Sequence, residues 1–383
     1  MKKTKKGLLI WFAAVLLATM FVPVSVKAAS KKNASDAAAL RKIISAQNAA
    51  GGSVDKDLDS ASYEWEKQKG EYRLVHIHWG EGITGSVSLA GFAELKGFEC
   101  MNTSLTSLDI SKNEKLELLL VGQNKLSKLD VSKNANLTAL DCGNNKLKKL
   151  DLSNCRKLKE LDCSNNKLAK LDVSQNAKLK TLACQNNSIS SLDIAGCPQL
   201  TGLYCDSNKL SALQTAKNVN LKYISCADNR LEQLQIANCL KLESLYCGQN
   251  KLSKLSVSKN SLLKYFECGG NALEKLSVSN CPKLMALDCS KNQIASLNVS
   301  QCPKLLELNC SANQIARLNL SACTGLFDLN CSGNQLTNLE LSQNDCLVTL
   351  SCTDNPIQKL DLSSCPSVSL DCDPSVEVVG QGA

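Results

Sequence analysis

LTALDCGNNKLKKLDLSNCRK, residues 137–157, returns at once as LKELDCSNNKLAKLDVSQNAK, residues 158–178. Counted from its first leucine, the unit restarts at Leu116, Leu137, Leu158, Leu179, Leu200, Leu221, Leu242, Leu263, Leu284, Leu305, Leu326 and Leu347, always after 21 residues. A degenerate copy starts at Leu95, with Thr103 where every later copy has Asn. An unbroken short period means stacked units, none of which can bury its apolar side alone.

In the copy at Leu137 the inward places are Leu137, Leu140, Cys142, Asn145, Leu147, Leu150, Leu152 and Cys155. Leu140 and Cys142 alternate with polar neighbours, as do Leu150 and Leu152. That alternation predicts a repeat solenoid, mainly β, with two short strands per 21-residue coil. The ninth place is Asn in all twelve full copies, from Asn124 to Asn355. A buried carboxamide needs partners, and the backbone of a strand-to-turn bend offers them, so an asparagine ladder is expected.

The signature L-x-x-L-x-C-x-x-N-x-L-x-x-L-D-[VL]-S resembles the leucine-rich repeat, in the 21-residue class found in secreted bacterial proteins. The resemblance runs from Leu95 to Ser367, thirteen coils. It implies the fold and leaves the ligand open, because this scaffold carries binders of many kinds. Its similarity to bacterial adhesins and internalin-like proteins implies a protein partner at a cell surface.

Residues 1–28 read as a signal peptide: Lys2, Lys3, Lys5 and Lys6, then an apolar run from Leu8 to Val22, then Val26-Lys27-Ala28. The run is short for a membrane span, and no second such stretch follows. The expected location is therefore secreted or on the extracellular surface, with no membrane span after cleavage. Lys+Arg 44 against Asp+Glu 36 gives a formal charge of +8, but the first 28 residues hold five lysines and no acid, leaving +3. The basic balance is mostly the export signal, which argues against nucleic acid.

Residues 29–94 should form an N-terminal cap. A small helix with Ala37, Leu40, Ile43 and Ile44 on one face, N-capped near Ser35-Asp36 and stopped at Gly51-Gly52, would cover the open end with Tyr63 and Trp65. Arg73 to Trp79 reads as the first strand. Residues 368–383 supply a closing strand, Val368, Leu370 and Cys372, one residue short of strict register, and a short tail.

Twenty-one cysteines in an exported chain would ordinarily mean a disulfide framework. Position argues otherwise. Thirteen hold the sixth place, from Cys100 to Cys372, and seven hold the nineteenth, where other copies have Asn. In-register neighbours point the same way and sit too far apart to bridge, so they should be buried thiols packed as small hydrophobes.

No catalytic residue is assigned, and no cofactor. The two histidines, His76 and His78, lack a triad-like setting. With Glu99 they hold zinc-ligand types, but two histidines on an exposed strand read as surface, and no metal site is assigned. Asp109, Asp130, Asp151, Asp172 and Asp193 form an acidic column, and Lys128, Lys149 and Lys170 suggest a solvated lattice of opposite charges.

The third and fifth places build the concave strand face. Four of the six tyrosines fall there in consecutive coils: Tyr204, Tyr223, Tyr246 and Tyr265. Tyrosine anchors interfaces at low entropic cost. Arg230 and Lys251 flank the face, and Glu267 and Asp288 follow the rings. These eight residues are the candidate binding site for a protein partner. A sugar-stacking platform for a polysaccharide is the alternative, and cross-strand aromatic pairing that merely stabilises the sheet is the plain one. Oligomeric state is not legible in the sequence.

Overall fold

The computed structural model describes residues 31–380 and residue 382. The signal-peptide reading of residues 1–28 lies outside them. The chain forms two compact units, divided between Asn187 and Ser188.

The first unit opens with α1 (Ala34–Ala49). Its N-cap is Asn33, whose side chain accepts the Asp36 backbone N–H at 3.1 Å, two residues before the Ser35-Asp36 pair that the sequence suggested. Asp36 is turned inward instead. Its carboxylate takes both Nε and Nη2 of Arg73, at 2.7 and 3.0 Å, and the backbone N–H of Leu74. A buried carboxylate is tolerated only when matched in this way. The cap also holds a hairpin absent from the sequence reading: β1 (Tyr63–Gln68) runs antiparallel to β2 (Glu71–Trp79). Tyr63 is buried and donates to the Asp55 carbonyl, and Trp79 meets Phe98 edge-on at 5.7 Å.

From β2 onward each coil contributes one parallel strand centred on the fourth-place residue. In the first unit these are β4 (Gly97–Cys100), β6 (Leu118–Leu120), β7 (Ala139–Asp141), β8 (Glu160–Asp162) and β9 (Thr181–Ala183). In the second unit they are β10 (Gly202–Tyr204), β12 (Tyr223–Ser225), β14 (Ser244–Tyr246), β15 (Tyr265–Glu267), β16 (Ala286–Asp288), β17 (Glu307–Asn309), β18 (Asp328–Asn330), β19 (Thr349–Ser351) and β21 (Ser369–Asp371). The closing strand pairs Ser351 with Asp371, 20 residues on, as the shortened last register requires. The second strand-like half is different. Among the described residues it closes into ladders only at β3 (Thr84–Ser88) with β5 (Ser104–Asp109), β11 (Ala212–Gln214) with β13 (Gln233–Gln235), and β20 (Lys359–Asp361) with β22 (Glu377–Val379). Side chains also hold this half. Each of Asp109, Asp130, Asp151, Asp172 and Asp193 accepts the backbone N–H two residues on. The serine there holds the first four carboxyls below their usual range. The acidic column is a row of turn caps, not a lattice with the lysines.

The ninth-place ladder is present in both units. Asn124 donates to the carbonyls of Cys100, Val121 and Gly122 at 2.7, 3.1 and 3.1 Å, and its Oδ1 accepts the Leu105 N–H. Asn250 repeats this with Cys226, Cys247, Gly248 and Leu231. Just before it, the eighth residue of every coil has positive φ, from Asn102 at 56° to Asp354 at 56°. Asn, Asp or Gly holds that place in most coils, but Gln123, Ser207, Gln249, Lys291 and Ala312 accept the left-handed cost of roughly 1 kcal/mol. The buried carboxamide one residue on over-determines the turn.

The nineteenth place explains why Asn and Cys interchange. Asn134 donates to the carbonyls of Ile110 and Asn113, 24 and 21 residues back. The Cys155 thiol faces the equivalent pair, Val131 and Asn134, at 3.8 and 3.9 Å. Either side chain donates to the same two oxygens. All the described cysteines are free thiols, and only Cys346 is exposed. Burial pushes the ladder thiols up, Cys100 and Cys155 to about 11 and Cys302 to about 12. They stay protonated and inert.

Candidate functional site on the strand face

Third- and fifth-place side chains stand outward from each strand while the fourth is buried. Their identity differs between the units.

In the first unit, the His76 ring stacks on His78 with centroids 5.9 Å apart and planes 16° from parallel. It also overhangs Gly97, where an added Cβ would lie 2.0 Å from His76 Cδ2. His76 Nδ1 is 2.8 Å from Glu64, and His78 lies between Glu64 at 3.6 Å and Glu99 at 3.3 Å. The neighbour expected for His78, Glu99, is there, and the hairpin strand β1 brings Glu64, which the sequence did not flag. The shifts oppose each other: burial lowers the His76 pKa, whereas the Glu99 hydrogen bond raises that of His78. Among the described residues no group of three or more His, Cys, Asp or Glu is arranged to hold a metal. The carboxylates already face the ring nitrogens.

Two coils on, Asp141 and Asp162 are register partners, both set in the strand face. Burial first, then the neighbouring Asp162, pushes Asp141 up to about 7, and burial raises Asp162 and Glu160 as well. The register partner of Asp141 on the other side is Leu120, which packs in an apolar cluster with Ala139, Met101 and Leu118. Two carboxyls in so little water cannot both ionise cheaply.

The second unit carries the rings. Register sets Gly202 beside Tyr223, Ser225 beside Tyr246, and Ser244 beside Tyr265. Large and small therefore alternate along both columns, so each ring has space to lean over a small neighbour. Ser225 and Ser244 are consequently buried, and so is Tyr246, at 5 % exposure. The sequence reading had four open rings; Tyr246 is a correction to it. Tyr204, Tyr223 and Tyr265 are half-buried. Burial pushes the Tyr204 and Tyr246 phenols up to about 12, with Tyr223 and Tyr246 close enough to add to Tyr204, and Glu267 and Tyr265 to Tyr246. Glu267 and Asp288 are register neighbours next to the rings. Asp288 is held by Ser290 N–H and Oγ at 2.9 and 2.6 Å and by Asn309 Nδ2 at 3.2 Å. Arg230 and Lys251 are exposed in the tenth place, just past the asparagine turn.

The 21-residue period, the parallel strand in each coil and the asparagine ladder define the chain as a leucine-rich-repeat solenoid. The leucine-rich-repeat family model, two copies long, matches residues 135–176. Among solved structures, the functional domain of InlJ from Listeria monocytogenes, which includes a cysteine ladder, is 32 % identical with a TM-score of 0.72. The match covers 76 % of this chain and 65 % of that one, so the chain spans about two thirds of its length. The internalin InlF of Listeria monocytogenes shares the fold at 21 % identity and a TM-score of 0.63, covering 81 % and 93 %. The Toll–Spatzle complex of Drosophila does so at 18 % and 0.59, covering 76 % and 45 %. A comparison with curated protein sequences finds no match.

Proposed function

We propose that this is a secreted, non-catalytic binding protein that engages a protein partner through the strand face of its second unit. The observation that carries the reading is the alternation of tyrosines with Gly202, Ser225 and Ser244, which leaves three phenols half-buried beside the buried Tyr246. Rigid amphipathic rings lose little entropy when covered, which is what an interface anchor needs. Arg230 and Lys251 at the rim, with Glu267 and Asp288 beyond the rings, provide polar selectivity around that centre. The fold agrees, since Toll, built on it, was solved in complex with Spatzle. A polysaccharide platform needs open ring faces, and Tyr246 presents none.

The test is affinity capture with the exported chain as bait, in parallel with Tyr223→Ala and Tyr223→Phe. Capture should fall about tenfold or more for alanine and survive in the phenylalanine variant. A partner retained equally by Tyr223→Ala, or selective binding on a glycan array, would overturn the proposal. Mass analysis of the mature N-terminus in culture medium checks export.

A further inference from the structure

In three successive coils of the first unit the segment after the asparagine turn reads NKLSK, NKLKK and NKLAK, residues 124–128, 145–149 and 166–170. The tenth place therefore stacks Lys125, Lys146 and Lys167, the thirteenth stacks Lys128, Lys149 and Lys170, and Lys148 stands between the columns. All seven lysines are exposed. The flanking coils carry only hydroxyls in these places, Ser104, Thr106 and Ser107 before and Ser188, Ser190 and Ser191 after. The patch is sharply bounded.

The frame keeps the columns in step. Lys146 N–H donates to the Leu126 carbonyl and Lys167 N–H to that of Leu147, both at 2.8 Å. Buried Leu129, Leu150 and Leu171 anchor the backbone beside the thirteenth place. Coils stack about 4.8 Å apart, and three residues of chain span at most about 11 Å. Neighbouring lysines thus stand near one Debye length, about 8 Å, where salt screens their repulsion only in part. The acids that follow them, Asp130, Asp151 and Asp172, each accept a turn N–H, from Ser132, Ser153 and Ser174. Among the described residues none of the seven lysines is in an ion pair. Residues 116–178 hold twelve Lys and Arg against seven Asp and Glu, so the three coils are basic as a whole. Folding does not ask for the lattice: Ser188 and Ala272 fill the tenth place elsewhere, and Ala212 the thirteenth.

We propose that this lysine lattice binds a linear polymer carrying phosphate along its length, at a site distinct from the tyrosines. Three features select that partner. Residues 116–178 contain no Phe, Tyr or Trp, so no ring is present on which a nucleic-acid base could stack. The exposed large hydrophobics among the described residues, Val219, Leu240, Phe327 and Val348, all lie in other coils. The patch therefore lacks both the apolar centre of a protein interface and the apolar face of a membrane-seated surface. Every cation in the lattice is Lys, a point charge with three rotatable donors that suits tetrahedral oxyanions on a flexible chain. Planar carboxylates of an acidic peptide are met better by the fixed fork of Arg. One cation per coil in each column also repeats along a line, as the charge of a polymer does.

The experiment is fluorescence anisotropy of the whole chain with end-labelled inorganic polyphosphate, competed by unlabelled polyphosphate, duplex DNA and poly-glutamate at equal total charge. Polyphosphate should bind, and its affinity should fall on the order of a thousandfold between about 50 and 200 mM salt when all seven lysines take part. K125Q/K146Q/K167Q and K128Q/K149Q/K170Q should each lose about tenfold and lower the salt slope by roughly 1 per lysine. The same charge change in the twenty-first place of other coils, K241Q/K283Q/K304Q, should leave the affinity unchanged. Melts as high as the parent's show that these exposed changes leave the fold intact. Equal losses in all three variants would mean that net charge alone is read, and overturn the proposal. Displacement more readily by DNA or poly-glutamate than by polyphosphate also overturns it, in favour of a nucleic acid or an acidic protein. Tyr223→Ala should bind polyphosphate as the parent does; a loss there would show that the lattice is not a site of its own.

Discussion

One backbone carries two kinds of strand face. In the first unit the outward places hold His76, His78, Asp141, Glu160 and Asp162: burial lowers the His76 pKa, the Glu99 hydrogen bond raises that of His78, and burial raises the three carboxyls, Asp141 to about 7. In the second unit the corresponding places of four coils hold tyrosines, and burial pushes two of them, Tyr204 and Tyr246, further from titration, to about 12. The strands, the register and the asparagine ladder are alike. The coil therefore determines where an outward side chain stands and how much water it keeps, while its chemistry decides what that partial burial does. The Asp141 carboxyl is moved toward neutrality; the Tyr204 and Tyr246 phenols are moved away from it.

The largest expected effect tests what the faces share. Asn145→Ala in the first unit and Asn250→Ala in the second each orphan buried carbonyls and an N–H, at a cost of about 3 kcal/mol. Urea unfolding should show similar losses in both. A loss confined to one variant would mean that the ladder is not the common frame.

The next tests where they differ. The Asp141 carboxyl is raised in the folded chain, from the ordinary 3.8 to about 7, so the folded state holds its proton more tightly than the unfolded one. Stability should therefore fall as pH rises between those values and level off above them, by at most ~1.4 kcal/mol per pH unit for one proton. Asp141→Asn should flatten that slope in urea midpoints measured across the interval. An unchanged slope would place the proton linkage elsewhere.

The smallest effect is spectroscopic. Phenolate absorbance should show a late phase near pH 12 that Tyr204→Phe/Tyr246→Phe removes. Titration of every ring together near 10 would mean that the rings are not packed as described.

Period, register and the ninth-place ladder were readable because one residue type recurs at one interval through twelve copies. The buried thiols were readable for the same reason, although their donation to carbonyls, which makes them equivalent to Asn, is visible only in the geometry. The β1 hairpin was missed because Tyr63–Gln68 occurs once and repeats nothing. Burial of Tyr246 was missed because it depends on Ser225, one strand away and 21 residues earlier. The serine bonds to Asp109 and its column are local, but a nearby lysine offered an equally simple pairing on paper.

Each ninth-place asparagine recognises main-chain oxygens of the preceding coil and ignores what that coil displays. Adjacency within the stack is thus blind to decoration. Excising residues 137–157, or copying them in tandem, would leave a joint chemically the same as the one removed. Such a chain can change its reach by whole turns through simple gene duplication or loss, and repaint one turn without renegotiating the next.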